Sequence, residues 1–106
     1  MKWKPSETVP ALLILAAATL ACLVPFVDKA FHIDDPLFIW TARHIHAEPF
    51  NFYDFQVNWD SWLKPMAAVT QNPPLASYYM ALAASVLGWS EVALHAAFLL
   101  PALALV

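Results

Sequence analysis

Two adjacent carboxylates stand where a polar segment begins and a helix is about to start. Asp34 and Asp35 precede Pro36, and proline suits the first turn of a helix because its missing N–H costs nothing there. A side-chain oxygen of Asp35 can cap that helix, whose positive end favours the ionised form of both acids. Asp34 is not needed for the cap. The pair therefore predicts either a double-acid helix start at a membrane surface or a catalytic carboxylate held just outside a bilayer.

The same segment contains side chains that commonly bind metal ions, which are His32, Asp34, Asp35, His44 and His46. The two acids alone suit Mg²⁺ or Mn²⁺ only when substrate phosphates complete the shell. The two later histidines are spaced so that a helix places their rings on different faces, and they chelate together only from a non-helical backbone. We assign no residue as a metal ligand. A divalent ion, a general base beside a phosphate leaving group and a purely structural cap all stay open for this segment.

The composition is that of a membrane protein. Hydrophobic residues make up 61% of the 106 positions and charged residues only 12%, whereas a soluble domain is nearer a quarter charged. The apolar residues are concentrated in the blocks 9–27 and 75–106. A net charge of −3 without a basic patch argues against nucleic acid as a partner. Cys22 is the single cysteine, so the chain forms no internal disulfide.

The apolar blocks predict an all-α membrane protein with about three transmembrane helices. Residues 9–27 are long enough to cross a hydrocarbon core of ~30 Å. Residues 73–87 form a second, shorter span, and residues 91–106 begin a third. A cleaved signal peptide is an alternative for the first block, because its small residues offer a cleavage site. The apolar end without a charged anchor predicts either the N-terminal part of a longer multi-span protein or a truncated reading frame.

Orientation follows from the basic residues near the start. Lys2 and Lys4 favour a cytoplasmic N-terminus, whereas Lys29, Arg43 and Lys64 on the other side count against it. We expect the first arrangement, with the loop 28–72 exoplasmic on the cell's inner (plasma) membrane. Within that loop we expect an interfacial helix from Pro36 to about Ala47. The aromatic residues that follow predict a belt at headgroup depth, with one or two available as a platform for a sugar or lipid; they are Phe50, Phe52, Tyr53, Phe55, Trp59 and Trp62.

The ends of the later helices carry recognisable signals. Asn72 is expected to cap the second span with Pro73 as its first helical residue. Gly88 is expected to end that span, because glycine readily adopts the backbone of a helix terminus. Ser90 is expected to cap the third helix, in which His95 is either an interfacial residue or a functional contact.

The run Asp34–Arg43 resembles the first exoplasmic loop of the GT-C membrane glycosyltransferases. The nearest branch is the protein O-mannosyltransferase-like family (glycosyltransferase family 39), with the related lipid A aminoarabinose transferases. That loop typically has an acid pair just after the first span, then an aromatic residue and an Ala-Arg pair on a juxtamembrane helix. Other motifs of this chain resemble the family's second span and the following turn, and they are Asn72-Pro73-Pro74-Leu75, Tyr78 or Tyr79, Gly88 and Ser90-Glu91. The similarity covers nearly the whole chain.

The resemblance implies an inverting transfer of a sugar from a polyprenyl-phosphate carrier to a hydroxyl of a protein or glycolipid. By position, Asp34 matches the acid that activates the acceptor and Asp35 matches its acidic neighbour. The leaving phosphate needs cations or helix N-termini, for which the available donors are Arg43, Lys64 and the helix start at Asn72. The family often has Lys or His in place of Asn72, and Glu is commoner than Asp35.

The family has around a dozen spans, so this chain alone is not expected to catalyse transfer. Membrane lipid, the lipid-linked donor and the acceptor are the expected partners. The alternative from a different class is a non-catalytic small multi-span membrane protein or a truncated partner subunit.

Overall fold

A computed structural model of the chain describes residues 4–106, and it is mostly helical. The chain forms two compact units. One unit takes the chain up to Lys29 and resumes from Ser90 to Val106, and the other comprises Ala30–Trp89. The candidate site lies in the second unit.

The first unit is built from two apolar helices. Helix α1 spans Pro5–Leu23 and runs into a short 3-10 turn at Val24–Phe26. Helix α5 spans Glu91–Ala104, and its start is capped as expected, because Ser90 Oγ accepts the N–H of Ala93 at 3.1 Å.

Helix α1 has the properties of a membrane span. The segment Pro5–Phe26 has 22 residues and a mean hydropathy of 2.3 in its most apolar window, and none of that window is buried in the structure. At 1.5 Å per residue it is ~33 Å long, enough for a hydrocarbon core of ~30 Å. A core helix of a soluble protein would be largely covered, so an apolar helix with this much exposed surface near the N-terminus indicates a membrane anchor or a signal sequence.

Among residues 4–106, α1 is the one helix long and apolar enough to cross a membrane. The two further predicted spans coincide with shorter apolar helices. Helix α5 has 14 residues and α4, at Leu75–Leu87, has 13. A helix of 13 residues is ~20 Å long, which is shorter than the hydrocarbon core. Lys2, on which the predicted orientation partly depends, lies outside the described residues.

The second unit contains the predicted loop helix, a hairpin and α4. Helix α2 spans Asp35–Ala47, so its predicted limits are confirmed to within a residue. It ends at Glu48 because a residue before proline avoids helical geometry. Strands β1 (Gln56–Asn58) and β2 (Leu63–Pro65) then form an antiparallel hairpin, and the one-turn helix α3 occupies Met66–Val69. The sequence pattern does not predict this hairpin; over the same stretch it predicts an aromatic belt.

Helices α2 and α4 pack closely because α4 presents small residues to α2. Ser77, Ala81 and Ala84 are the buried residues of α4, and their spacing places them on one face. Ala81 packs with Ala42 and Ile45 of α2 in one buried cluster. Ser77 Oγ donates to the backbone carbonyl of Phe38 at 3.0 Å, which satisfies a hydroxyl that is only 1% exposed.

A second small core lies between α2, the hairpin and α3. It consists of Leu37, Val57 and Met66, and Met66 is completely buried. Tyr53, Phe55 and Val69 cover its margin. Three of the predicted belt aromatics pack against buried clusters. Tyr53 and Phe55 cover this second core, and Phe52 packs in the α2–α4 cluster. Phe50 and Trp62, by contrast, are 94% and 71% exposed.

Candidate functional site

The acid pair lies at the start of α2, where the structure gives the two carboxylates different surroundings. Asp35 is the first helical residue, and its Oδ2 accepts the backbone N–H of His32 at 2.9 Å. Asp34 is the N-cap residue and is exposed, but its side chain makes no cap hydrogen bond. The expected cap by Asp35 is therefore wrong in detail: Asp35 bonds backward to the preceding turn, not forward to the helix.

The backbone explains why Asp34 does not cap. A side-chain cap normally requires an extended N-cap residue, whereas Asp34 has φ −90° and ψ −8°. Ile33, just before it, has a φ of +46°, a conformation that is strained for a β-branched residue. The turn that brings His32 back to Asp35 thus holds Asp34 outward. Its carboxylate makes no hydrogen bond to any residue in the described range 4–106.

A groove of about 440 Å³ lies along α2, and neither acid of the pair lines it. Phe31 and Pro36, which flank the acids in sequence, line one end, and Ile39, Trp40 and Arg43 line the rest. A second groove, also of about 440 Å³, lies beyond Trp40 and Arg43, and its other walls are Phe55 and the three residues of β1. Trp40 and Arg43 therefore border both grooves.

Arg43 carries the positive charge of these grooves. Its side chain is exposed, and its Cζ lies 5.1 Å from the centroid of the Trp89 ring. That distance permits a cation–π contact, which orients the guanidinium without neutralising it. Arg43 is nine residues from Asp34, or about 13 Å along the helix axis. The predicted phosphate contact and the predicted base are thus on one helix, at different positions along it.

The other two predicted phosphate donors, Lys64 and Asn72, line neither groove. Lys64 Nζ is 2.6 Å from Asp60 Oδ2 in an exposed ion pair.

Asn72 does not cap α4, which begins at Leu75 with Pro74 as its N-cap residue. Pro73 precedes a proline and so avoids helical geometry, which delays the helix. The Asn72 carbonyl instead accepts the Tyr53 hydroxyl, and its N–H donates to Thr70 Oγ1 at 3.3 Å.

The candidate metal-binding side chains do not converge. Among residues 4–106, no three His, Cys, Asp or Glu side chains gather in a way that could hold an ion. His44 stacks on Phe55 with ring centroids 4.7 Å apart, whereas His46 meets Trp89 edge-on at 6.2 Å. Because α2 is helical here, the two rings point to different neighbours. A divalent ion at the acid pair would need ligands from a substrate.

Sequence reasoning missed the wall formed by Trp40 and β1. Trp40 meets Trp59 edge-to-face with centroids 6.1 Å apart, which joins α2 to the hairpin loop. The spacing of Trp40 and Arg43 on a helix indicates a shared face, and this signal was available from the sequence. The contribution of Gln56 and Asn58 was not, because it depends on a hairpin without a typical turn sequence.

Comparison with known proteins adds no family to this picture. No family model, curated protein or solved structure shows a significant match to this chain.

Proposed function

We propose that this chain is the N-terminal part of an inverting membrane glycosyltransferase of the GT-C type, similar to the protein O-mannosyltransferases. It would move a sugar from a polyprenyl-phosphate carrier to a hydroxyl of a protein or glycolipid. The observation that carries the proposal is that two adjacent carboxylates have different surroundings. Asp35 is engaged in the local turn, and Asp34 is exposed at the start of α2, the helix whose residues Pro36, Ile39, Trp40 and Arg43 line a groove.

The proposed reaction needs a base for the acceptor. The acceptor oxygen bonds to the anomeric carbon as the bond between that carbon and the phosphate oxygen breaks. Asp34 takes the hydroxyl proton, and the phosphate leaves with the electron pair. An ionised carboxylate suits this step when it lies within hydrogen-bond reach of the hydroxyl.

Arg43 is the better-supported contact for the leaving phosphate. It lines the groove along α2 together with Pro36, which follows the acids in sequence, and its guanidinium matches phosphate oxygens in a bidentate manner. Lys64 would first have to leave Asp60, although exposed ion pairs are weak enough to exchange. A role for Asn72 stays a prediction, since its backbone is occupied by Tyr53 and Thr70.

The membrane setting fits a lipid-linked donor. In this proposal α1 anchors the chain in the inner (plasma) membrane and the segment 28–72 lies on the exoplasmic side. Helices α4 and α5 enter the bilayer as short spans, which is feasible where the bilayer is thin or where further helices surround them. The polyprenyl chain of the donor then lies in the lipid, with its phosphate at the depth of α2.

The test is sugar transfer by the full-length protein in proteoliposomes. Each candidate donor, a radiolabelled polyprenyl-phosphate sugar, is supplied in the lipid with peptide or glycolipid acceptors. We expect transfer that depends on Asp34 and survives an Asp54→Asn change, because Asp54 is exposed and lies outside the grooves. An active protein that tolerates loss of Asp34 contradicts the proposal. No transfer with any donor favours the non-catalytic membrane protein instead.

A further inference from the structure

Within the described part of the chain, the outer edge of β1 has backbone groups without partners. The sheet there has two strands, so β1 pairs with β2 on one side only. The groove beyond Trp40 and Arg43 is lined by all three β1 residues, which places this edge against it. An exposed strand edge is a template for a further strand.

The register identifies which groups point outward. The N–H of Met66 donates to the carbonyl of Phe55 at 2.8 Å, so this pair is hydrogen-bonded. In an antiparallel ladder bonded and non-bonded pairs alternate. Val57 is therefore bonded to its partner Lys64, and the pairs on either side of it are not. It follows that the N–H and C=O groups of Gln56 and Asn58 face away from β2.

The other edge of the hairpin is less suited to pairing. The outward-facing residues of β2 are those opposite Gln56 and Asn58, which are Pro65 and Leu63. Proline has no N–H, and a proline at a strand edge blocks strand addition there. The two edges thus differ, and only the β1 edge has a complete set of donors and acceptors.

We propose that this groove binds an extended peptide segment, which adds as a third strand to β1. The two donors and two acceptors repeat every second residue, at about 6.8 Å, which matches a peptide backbone and not a sugar ring. Trp40 and Phe55 supply apolar walls for alternate side chains. Arg43 is the charged residue lining the groove, so an acidic side chain is the complement expected at its end.

The test is peptide binding, and it needs no sugar donor, so its outcome is separate from that of the transfer assay. The probe is a fluorescein-labelled pentapeptide, Thr-Val-Glu-Val-Thr, titrated against the chain in detergent micelles and followed by anisotropy. Each backbone N–H of the peptide is then methylated in turn. We expect alternate methylations to weaken binding about fivefold or more, and the intervening ones to change it less than twofold. A methylation effect without this period of two, or no binding at millimolar protein, overturns the proposal.

Matched protein variants locate the site. Asn58→Pro removes an outward N–H of β1 without removing a hairpin hydrogen bond. Leu63→Pro is its matched control, because it removes an outward N–H of β2 and also keeps the hairpin hydrogen bonds. We expect Asn58→Pro to lower affinity at least fivefold and Leu63→Pro to leave it unchanged. Arg43→Gln should abolish the preference for Glu over Gln in the peptide. Equal effects of the two proline changes contradict peptide addition. Competition by an oligosaccharide also contradicts it if methylation of the peptide has no alternating effect on binding. The methylation series tests the proposal even if a protein variant misfolds, because it changes only the peptide and uses the wild-type protein.

Discussion

The backbone N–H of His32 donates to Oδ2 of Asp35 at 2.9 Å, across the turn that begins α2. This contact uses the second acid of the pair and leaves the first at the surface. A hydrogen bond to a carboxylate is stronger than one to a neutral acceptor. It closes a turn in which Ile33 has a positive φ, and so it offsets part of the strain there.

We predict that Asp35 stabilises the fold and Asp34 does not. Asp35→Ala removes the acceptor for His32 and should lower the free energy of unfolding by about 1 kcal/mol. Asp34→Ala should change it by roughly 0.5 kcal/mol or less, since that side chain has no partner to lose. Denaturant titration of the chain in detergent can be followed by tryptophan fluorescence, because four of the five tryptophans lie in Ala30–Trp89.

Asp35→Asn is the control for that pair of variants. Asparagine keeps a carbonyl oxygen at the same position, so it should recover most of the stability lost in Asp35→Ala. If Asp34→Ala is the more destabilising change, the first acid holds the turn and the assignment is reversed.

The second prediction concerns the close approach of α2 and α4 at Ser77. Ser77 is 1% exposed and bonded to the carbonyl of Phe38, so Ser77→Leu has no space and should cost about 1–3 kcal/mol or more. Ser77→Ala loses only the hydrogen bond and should cost about 1 kcal/mol. The same denaturant titration measures both changes.

Ser85→Leu is the matched control on the same helix. Ser85 is exposed, and its hydroxyl bonds only to the carbonyl of Leu82 in its own helix at 2.6 Å. Leucine there should be nearly neutral. Equal costs at Ser77 and Ser85 would show that α4 does not pack on α2 through its small residues.

The parts of the fold that the sequence predicts are those with local signals. Pro36 and the Glu48-Pro49 step mark the ends of α2 because proline restricts both its own backbone and that of the residue before it. Gly88, at φ +93°, ends α4, and Ser90 caps α5 through its hydroxyl. Each of these effects acts within a few residues, so the sequence carries it directly.

The hairpin and the grooves depend on contacts that the sequence does not signal. Two-residue hairpin turns are announced by Asn-Gly or Asp-Gly, but here the positive φ of +69° falls on Ser61, in a loop flanked by tryptophans. The strands have three residues each, too short for a clear alternation. Their position is set by Val57 and Met66 packing on Leu37, which is a tertiary effect. The second groove is therefore visible only in the folded unit.

The third prediction is the topology of the membrane segments. With Cys22 changed to Ser, single cysteines at Ser61 and Ser90 should react differently with an impermeant thiol reagent in intact cells. The first should be labelled because it lies in the segment 28–72, and the second should be spared. This contrast requires α4, of 13 residues, to cross the bilayer.

Each other labelling pattern has a distinct meaning. Equal labelling of both positions would show that α4 does not cross and lies on one side with α2. The reverse pattern would overturn the orientation inferred from Lys2 and Lys4. Labelling after the membrane is opened with detergent shows that each thiol is accessible in the folded protein, and both positions are exposed in the structure.

The last prediction is that Asp34 is the essential carboxylate of the full-length enzyme. Asp34→Asn keeps the size of the side chain and removes the base, so transfer from a polyprenyl-phosphate donor should fall ~10²–10⁴-fold. Asp35→Asn keeps an acceptor for His32 and should cost less. Because the Asp34 side chain makes no hydrogen bond to any residue in the described range 4–106, its replacement should leave stability and expression near wild type. This separates a chemical defect from a folding defect.

The matched control for Asp34→Asn is Asp54→Asn, an exposed change outside the grooves, which should transfer sugar at the wild-type rate. Transfer by Asp34→Asn at a near wild-type rate would show that another group is the base. If Asp35→Asn is the more damaging change, the two acids exchange roles, and the contact between His32 and Asp35 then positions the base itself.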